Sequence, residues 1–309
     1  MSGAPMSGAK DVADWRRNAD HLAAHGLYDP AQEHDACGVG LVVAIDGKPR
    51  RSVVEAAIEA LRGIWHRGAV DADGKTGDGA GIHVQIPQDF FKEHVRRTGH
   101  VPLEGRLAVG MVFLPRTDLA AQERCRCIVE AEILNFGYTI YGWRQVPVNV
   151  AVIGEKANAN RPEIEQIMIA NSRGLDEKAF ERDLYIIRRR IEKAARAESI
   201  KDLYICSLSC RSIIYKGMFL AQQLTAFYPD LGDRRFESNF AIFHQRYSTN
   251  TFPAWHLAQP FRVLAHNGEI NTLLGNVNWM RSHETRMAHD ALGEYMEDVK
   301  PIVQPDASD

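Results

Sequence analysis

A chain of 309 residues, 45% apolar and 25% charged, has material for one large globular domain or two small ones. Its net charge of −3 leaves no electrostatic footprint for nucleic acid. No run approaches the ~20 apolar residues of a membrane span, and five cysteines, an odd number, argue for a reducing, cytoplasmic setting rather than a disulfide framework.

Residues 1–36, rich in Ala, Asp, His and Gly, carry no sustained period, and at most one or two helical turns are expected around 12–24. Arg16 and Arg17 are followed by no apolar core, which makes a poor secretory signal and leaves a disordered tail or a propeptide. The run 38–45, small and β-branched on both faces, predicts a strand inside a buried sheet, closed by a hairpin turn at Asp46-Gly47. Ser52 predicts the N-cap of a helix with apolar positions Val53, Val54, Ala57, Ile58, Leu61 and Trp65, ended by His66-Arg67-Gly68. A glycine-rich loop to residue 81 leads into an alternating strand at 82–86.

Farther on, 107–114 predicts a strand, and Asp118 opens a long helix ended by Gly137. Strands at 138–146 and 148–153 and helices at 161–170 and 177–197 follow. The second helix carries Arg188, Arg189, Arg190 and Lys193, read as a solvated basic face. Residues 202–208 and 211–215 predict a hairpin, then a helix to Phe227, strands at 239–246 and 261–266, and a polar helix at 275–288. Strands mixed with paired helices suggest sheet layers covered by helices.

Cys37 stands at the head of the first strand, ahead of a glycine. Alone it reads as a small buried hydrophobe. A thiol attacks as thiolate, however, and free cysteine titrates near ~8.5. If the preceding peptide bond is cut, the residue's own α-amino group, with a pKa near ~8, stands beside the sulfur as its base. Cys37 is therefore expected to begin the mature chain and to act as nucleophile.

Other motifs weigh less. Gly74-Lys75-Thr76 copies the end of a phosphate loop, but the earlier glycine is Gly68, one residue too distant, and the flanking elements are reversed. Calcium is excluded because the twelfth position from Asp71 is Ile82. The expectation is a tight backbone loop near the active site. Cys125 and Cys127 sit two apart on a helix, facing different sides, and Cys206 and Cys210 bracket a turn with no partners at finger spacing. These read as buried thiols, no metal site is expected, and His83 reads as a plain strand histidine. Two later stretches carry chemistry. An apolar strand delivers Arg246 into a turn, and a planar guanidinium suits a carboxylate. Asn267 and Gly268 offer a side-chain amide and a backbone N–H to one point; as an oxyanion hole each donor is worth about 3 kcal/mol, although Asn-Gly alone is a turn signal.

Taken in order, Cys37-Gly38-Val39-Gly40, His66-Arg67-Gly68, Thr76-Gly77-Asp78-Gly79-Ala80-Gly81, His244-Gln245-Arg246-Tyr247-Ser248-Thr249-Asn250 and His266-Asn267-Gly268-Glu269-Ile270-Asn271 resemble the class II glutamine amidotransferases. Among these the likeness is greatest to the amino-terminal domain of bacterial, NADPH-dependent glutamate synthase large subunits, and it runs from Cys37 to Asp309. The resemblance implies an α+β fold, the N-terminal-nucleophile (Ntn) hydrolase αββα sandwich of two antiparallel sheets, incomplete at the C-terminus, with residues 1–36 a propeptide or leader. It implies that L-glutamine is hydrolysed to glutamate and ammonia through a γ-glutamyl thioester on Cys37. Arg246 would hold the α-carboxylate, Asn267 and Gly268 the oxyanion, and Asp309, in the pair Ser308-Asp309, the α-amino group.

The same resemblance implies that ammonia travels by an internal tunnel to 2-oxoglutarate, in an enzyme using FMN and a 3Fe-4S cluster, with FAD and NADPH reached through a small subunit. No cofactor is expected in this chain. Its implied partners are the remaining synthase domains and a small NADPH-oxidising subunit. Two alternatives stay open: another class II amidotransferase, such as those making glucosamine phosphate, phosphoribosylamine or asparagine, and a non-catalytic truncated fragment. The Thr-Gly-Asp-Gly-Ala-Gly loop and the long insertion between 82 and 238 favour the glutamate synthases.

Overall fold

The computed structural model describes residues 8–26, 29, 38–246, 252–263 and 272–303, and the chain divides into units Met1–Ala36 and Cys37–Asp309. In the first unit a helix, α1 (Gly8–His25), is longer than the expected turn or two. Its Ala, Arg, Lys and Leu content favours helix without an amphipathic stripe, the signal that periodicity seeks.

The second unit is built on antiparallel strands. In order come β1 (Val39–Val43), α2 (Arg51–Gly63), β2 (Ala80–Gln85), α3 (Gln88–Arg97), β3 (Ala108–Leu114), α4 (Leu119–Asn135) and β4 (Thr139–Gln145). There follow α5 (Glu155–Ala159), β5 (Glu163–Ala170), α6 (Glu177–Ala197), β6 (Tyr204–Ser209), β7 (Ser212–Gly217), α7 (Leu224–Phe227), β8 (Phe240–Gln245) and α8 (Leu273–Glu284). One four-stranded sheet has the order β1-β8-β2-β7, the other β4-β5-β3-β6, and every pairing is antiparallel. This is the expected α+β architecture.

Strand period explains the layers. Val109, Met111 and Phe113 of β3 join Ile82, Val84, Ile213 and Tyr215 of the other sheet in one core. The intervening Ala108, Val112 and Leu114 turn instead to Cys125, Ile128, Val129 and Ile133 of α4 and Phe180, Leu184, Ile187 and Ile191 of α6. The two sheets are bound by a buried polar network. Arg144 on β4 grips Asp230 with two hydrogen bonds (2.6 and 2.7 Å), and Tyr215 on β7 donates to the same carboxylate at 2.9 Å. Gln166 on β5 completes it, donating to the Tyr215 oxygen and accepting from Arg144.

Several expectations hold: α6 spans 177–197, and Asp118 caps α4 by accepting from the Ala121 N–H. Others need correction. The run 161–170, read as a helix, contains strand β5, whose polar Glu165 and Gln166 are buried and partnered. The segment 148–153 holds a short 3-10 turn instead of a strand. Helix α3 was not anticipated; its Phe90, Phe91 and Val95 are buried. β6 and β7 form no hairpin, because the chain changes sheet between them. Asp46-Gly47 does turn, Gly47 having φ +70°, but β1 pairs with β8 rather than with a following strand. The N-cap of α2 is Arg50, not Ser52, and Trp65 is exposed on a 3-10 turn. β1 is an edge strand with one open face, Leu41 and Val43 being 63% and 56% exposed. Phe261 to Val263 form no strand, and the remainder of that expected element lies outside the described residues.

The basic run on α6 is also no solvated face. Arg188 and Arg189 are buried, Arg189 donating to the carbonyls of Val299 and Pro301. Arg190 pairs with Asp298 at 2.8 Å over the rings of Phe136 and Tyr295, and Lys193 donates to the Glu297 carbonyl. The helix thus clamps the chain at 297–301. Arg189→Ala, which strands buried carbonyls, is expected to cost about 1–3 kcal/mol. Urea unfolding measures that cost, and hydrogen exchange at 298–303 should accelerate with it.

Candidate active site

Three pieces of chain meet at one end of the first sheet. β8 runs antiparallel to β1 with Val39 opposite His244, and the next backbone bond goes from Gln245 N to Gly38 O at 2.7 Å. One residue farther, Arg246 N donates to Gly79 O at 2.8 Å. The head of β1, the residue before β2 and the tail of β8 therefore lie side by side. Arg246 is half-buried and has φ +133°, a strained conformation for a side-chain-bearing residue. The His244 ring donates through Nδ1 to the Arg246 carbonyl at 3.0 Å, which fixes that bend.

The glycines of the expected tight loop are there for close approach. A Cβ on Gly68 would sit 2.1 Å from Nε2 of Gln245, itself fully buried, and one on Gly77 would sit 2.3 Å from the Phe219 backbone carbon. Within the loop the Asp73 carboxylate accepts from the Thr76 hydroxyl (2.5 Å) and from the backbone N–H of Thr76 (2.7 Å) and Lys75 (2.9 Å). These bonds, the Thr76 hydroxyl first, hold its pKa down at about 2. The loop is closed on itself by the Val70–Gly77 bridge.

One loop residue was missed by sequence reasoning. Asp78 is 5% exposed, and neither carboxylate oxygen has a hydrogen-bond partner among the described residues. Burial pushes it up to about 6, against the opposing pull of nearby backbone amides and of the Arg246 charge. With Ala69, Val70, Gly77, Met218, Phe252 and Pro253 it lines a cavity of about 330 Å³. A carboxylate between two glycines was the available signal, but sequence cannot show that no donor reaches it.

Of the five expected site residues, Arg246 is described; Cys37, Asn267, Gly268 and Asp309 lie outside the described residues. His83 is a strand histidine, buried, 2.7 Å from the Ser212 hydroxyl, and burial holds it near 4. Cys125, Cys206 and Cys210 are buried free thiols, while Cys127 is exposed, which corrects the expectation that all four are buried. Burial raises Cys125 to about 11 and Cys206 to about 12, the reverse of what a thiolate ligand needs. No group of three or more His, Cys, Asp or Glu side chains poised for a metal occurs among the described residues, so these cysteines do not fit an iron–sulfur cluster.

Comparison with known proteins gives the arrangement a context. The family described as "Glutamine amidotransferases class-II" matches residues 37–309. The chain is 70% identical over 302 residues to the glutamate synthase [NADPH] large chain of Azospirillum brasilense, covering 98% of this chain and 20% of that protein. It is 43% identical over 290 residues to the corresponding chain of Bacillus subtilis, 93% of this chain and 19% of that one. To the chloroplastic ferredoxin-dependent glutamate synthase of Oryza sativa it is 42% identical over 288 residues, covering 93% of this chain and 18% of that one. The chain thus spans about a fifth of the length of these relatives. On the family match and these identities, the chain belongs to the class II glutamine amidotransferases.

Proposed function

We propose that this chain is the glutaminase domain of a glutamate synthase, hydrolysing L-glutamine to glutamate and ammonia through a thioester on Cys37. The thiol gives its proton to the α-amino group exposed by removal of residues 1–36. The sulfur adds to the side-chain carbonyl carbon of glutamine, and Asn267 and Gly268 donate to the resulting oxyanion. Collapse expels ammonia, which leaves with the proton held by the amine, and water then attacks the thioester to release glutamate. Arg246 grips the α-carboxylate with two parallel bonds, and Asp309 takes the α-ammonium.

The observation that carries this reading is the bond from Gln245 N to Gly38 O, which lays the residue following Cys37 against the residue preceding Arg246. The family match beginning at residue 37 supports the same boundary. The relatives are named as glutamate synthase large chains, and the proposed use of the ammonia is glutamate synthesis; FMN, a 3Fe-4S cluster and, through a small NADPH-oxidising subunit, FAD would act outside this chain. No helix among the described residues is long and apolar enough to cross a membrane, and the proposed setting is the cytoplasm. The test is direct: purified protein carrying this domain should release glutamate and ammonia in equal amounts from L-glutamine and leave L-asparagine untouched. Absence of ammonia release from glutamine would refute the reading.

A further inference from the structure

We propose that the cavity floored by Asp78 is a binding site for a primary alkylammonium, an aliphatic stem ending in one cationic head. The glutamine chemistry proposed above does not use it, because Arg246, assigned there to the substrate carboxylate, is not on its wall. A volume of about 330 Å³ with a mostly apolar lining and few polar groups is that of a small-molecule site.

The wall is graded from rim to floor. Phe252 and Val70 are 91% and 48% exposed, whereas Met218 and Asp78 are buried, so the mouth is apolar and the carboxylate lies deep. The Asp78 backbone is held in place, its N–H donating to the Ala69 carbonyl at 3.1 Å. Its two carboxylate oxygens meet no donor among the described residues. The other polar side chains of the wall are already engaged. Asp71 and Lys156 pair with each other, and the Thr76 hydroxyl donates to Asp73 at 2.5 Å and accepts from the Ala157 N–H at 3.2 Å. Asp78 is therefore the one carboxylate of this wall left without a partner.

Those features select the ligand. A buried carboxylate without a counter-charge is costly, and an ammonium brings three donors together with the opposite charge. An aliphatic stem running outward from that head covers Met218, Val70 and Phe252. A metal ion is a poorer match, since no group of three or more His, Cys, Asp or Glu side chains is poised for one among the described residues. Two sources supply the chemistry: a free small amine, and the lysine side chain of a protein segment. Burial raises Asp78 to about 6, with nearby backbone amides and the Arg246 charge opposing it. An alkylammonium keeps its proton up to about pH 10. The two charges are thus both present at pH 7, and the carboxylate's is lost as pH falls through about 6.

The experiment is isothermal titration calorimetry on the full-length protein carrying this domain, with n-butylammonium chloride as the probe. Wild-type protein should show a site whose Kd is about tenfold weaker at pH 5 than at pH 7. Asp78→Asn, which keeps the shape and removes the charge, should weaken binding at pH 7 by about tenfold or more and abolish the pH dependence. n-Butanol, the same stem without the charge, should not bind. Val70→Trp, which fills the mouth and leaves Asp78 intact, should also abolish binding and so tie it to this cavity. A short peptide with blocked ends and a central lysine distinguishes the sources. If it binds as tightly as n-butylammonium the site takes a protein lysine, and if n-butylammonium alone binds it takes a free amine. Binding of neither probe to folded wild-type protein overturns the inference, as does equal affinity in the Asp78→Asn variant. Competitive displacement by glutamine would make the cavity part of the substrate's own site and overturn it as well.

Discussion

Replacing Cys37 with alanine is expected to abolish glutamine hydrolysis, lowering the rate by about 10⁴-fold or more. The sulfur is the atom that bonds to substrate, and neither oxyanion donors nor a carboxylate grip can replace it. The fold should not notice the change. What joins the head of β1 to β8 is backbone pairing, Gln245 N to Gly38 O and the register from Val39 onward, and none of it uses the Cys37 side chain. Circular dichroism and Tm should therefore match wild type while ammonia release disappears. Retained hydrolysis in a properly processed alanine variant would remove Cys37 from the mechanism.

Asp230→Ala should have the largest effect on stability, about 3–5 kcal/mol, because it leaves a buried charge without its partner. Arg144 and Asp230 are 10% and 5% exposed at their side chains, and the pair ties β4 of one sheet to β7 of the other through Tyr215. Removing the carboxylate strands the guanidinium and the tyrosine hydroxyl together. By the usual scaling Tm should fall on the order of 10 °C. Denaturant unfolding is the measurement, and a cost below about 1 kcal/mol would show that the network is dispensable. Asp230→Asn, which keeps an acceptor, should be milder.

What could be read beforehand and what could not divide along a physical line. Helix α6 was legible because its apolar positions repeat at helical spacing and Asp176 caps it locally. The same is true of Asp118 and α4. β5 was misread because its polar residues look like a helix surface, and their partners are remote in sequence. Glu165 binds Arg126 on α4, and Gln166 binds Tyr215 on β7. In the basic run of α6, Arg188 pairs locally with Glu192, but Arg189, Arg190 and Lys193 also reach acceptors more than a hundred residues away at 297–301, which no local pattern shows. The change of sheet between β6 and β7 leaves no local mark, since a two-residue turn looks alike whether or not its strands pair.

In the site, motifs point to Cys37, Arg246, Asn267 and Gly268 through residue types suited to attack on an amide, and of these Arg246 alone lies within the described residues. Asp78 was visible as a letter but not as a group, because its meaning lies in what fails to reach it. Gly68 and Gly77 likewise looked like loop punctuation, whereas the structure uses them for contact with Gln245 and with the 219–220 backbone.

The central claim is that a sulfur and the free amine of its own residue stand beside Arg246 at the end of the first sheet. The most direct test is mass spectrometry of the amino-terminal peptide of active protein after treatment with an electrophilic glutamine analogue. The account predicts a peptide that begins at Cys37 and carries the label on sulfur. Active protein whose chain still begins upstream of residue 37, or a label fixed on any other side chain, would contradict it.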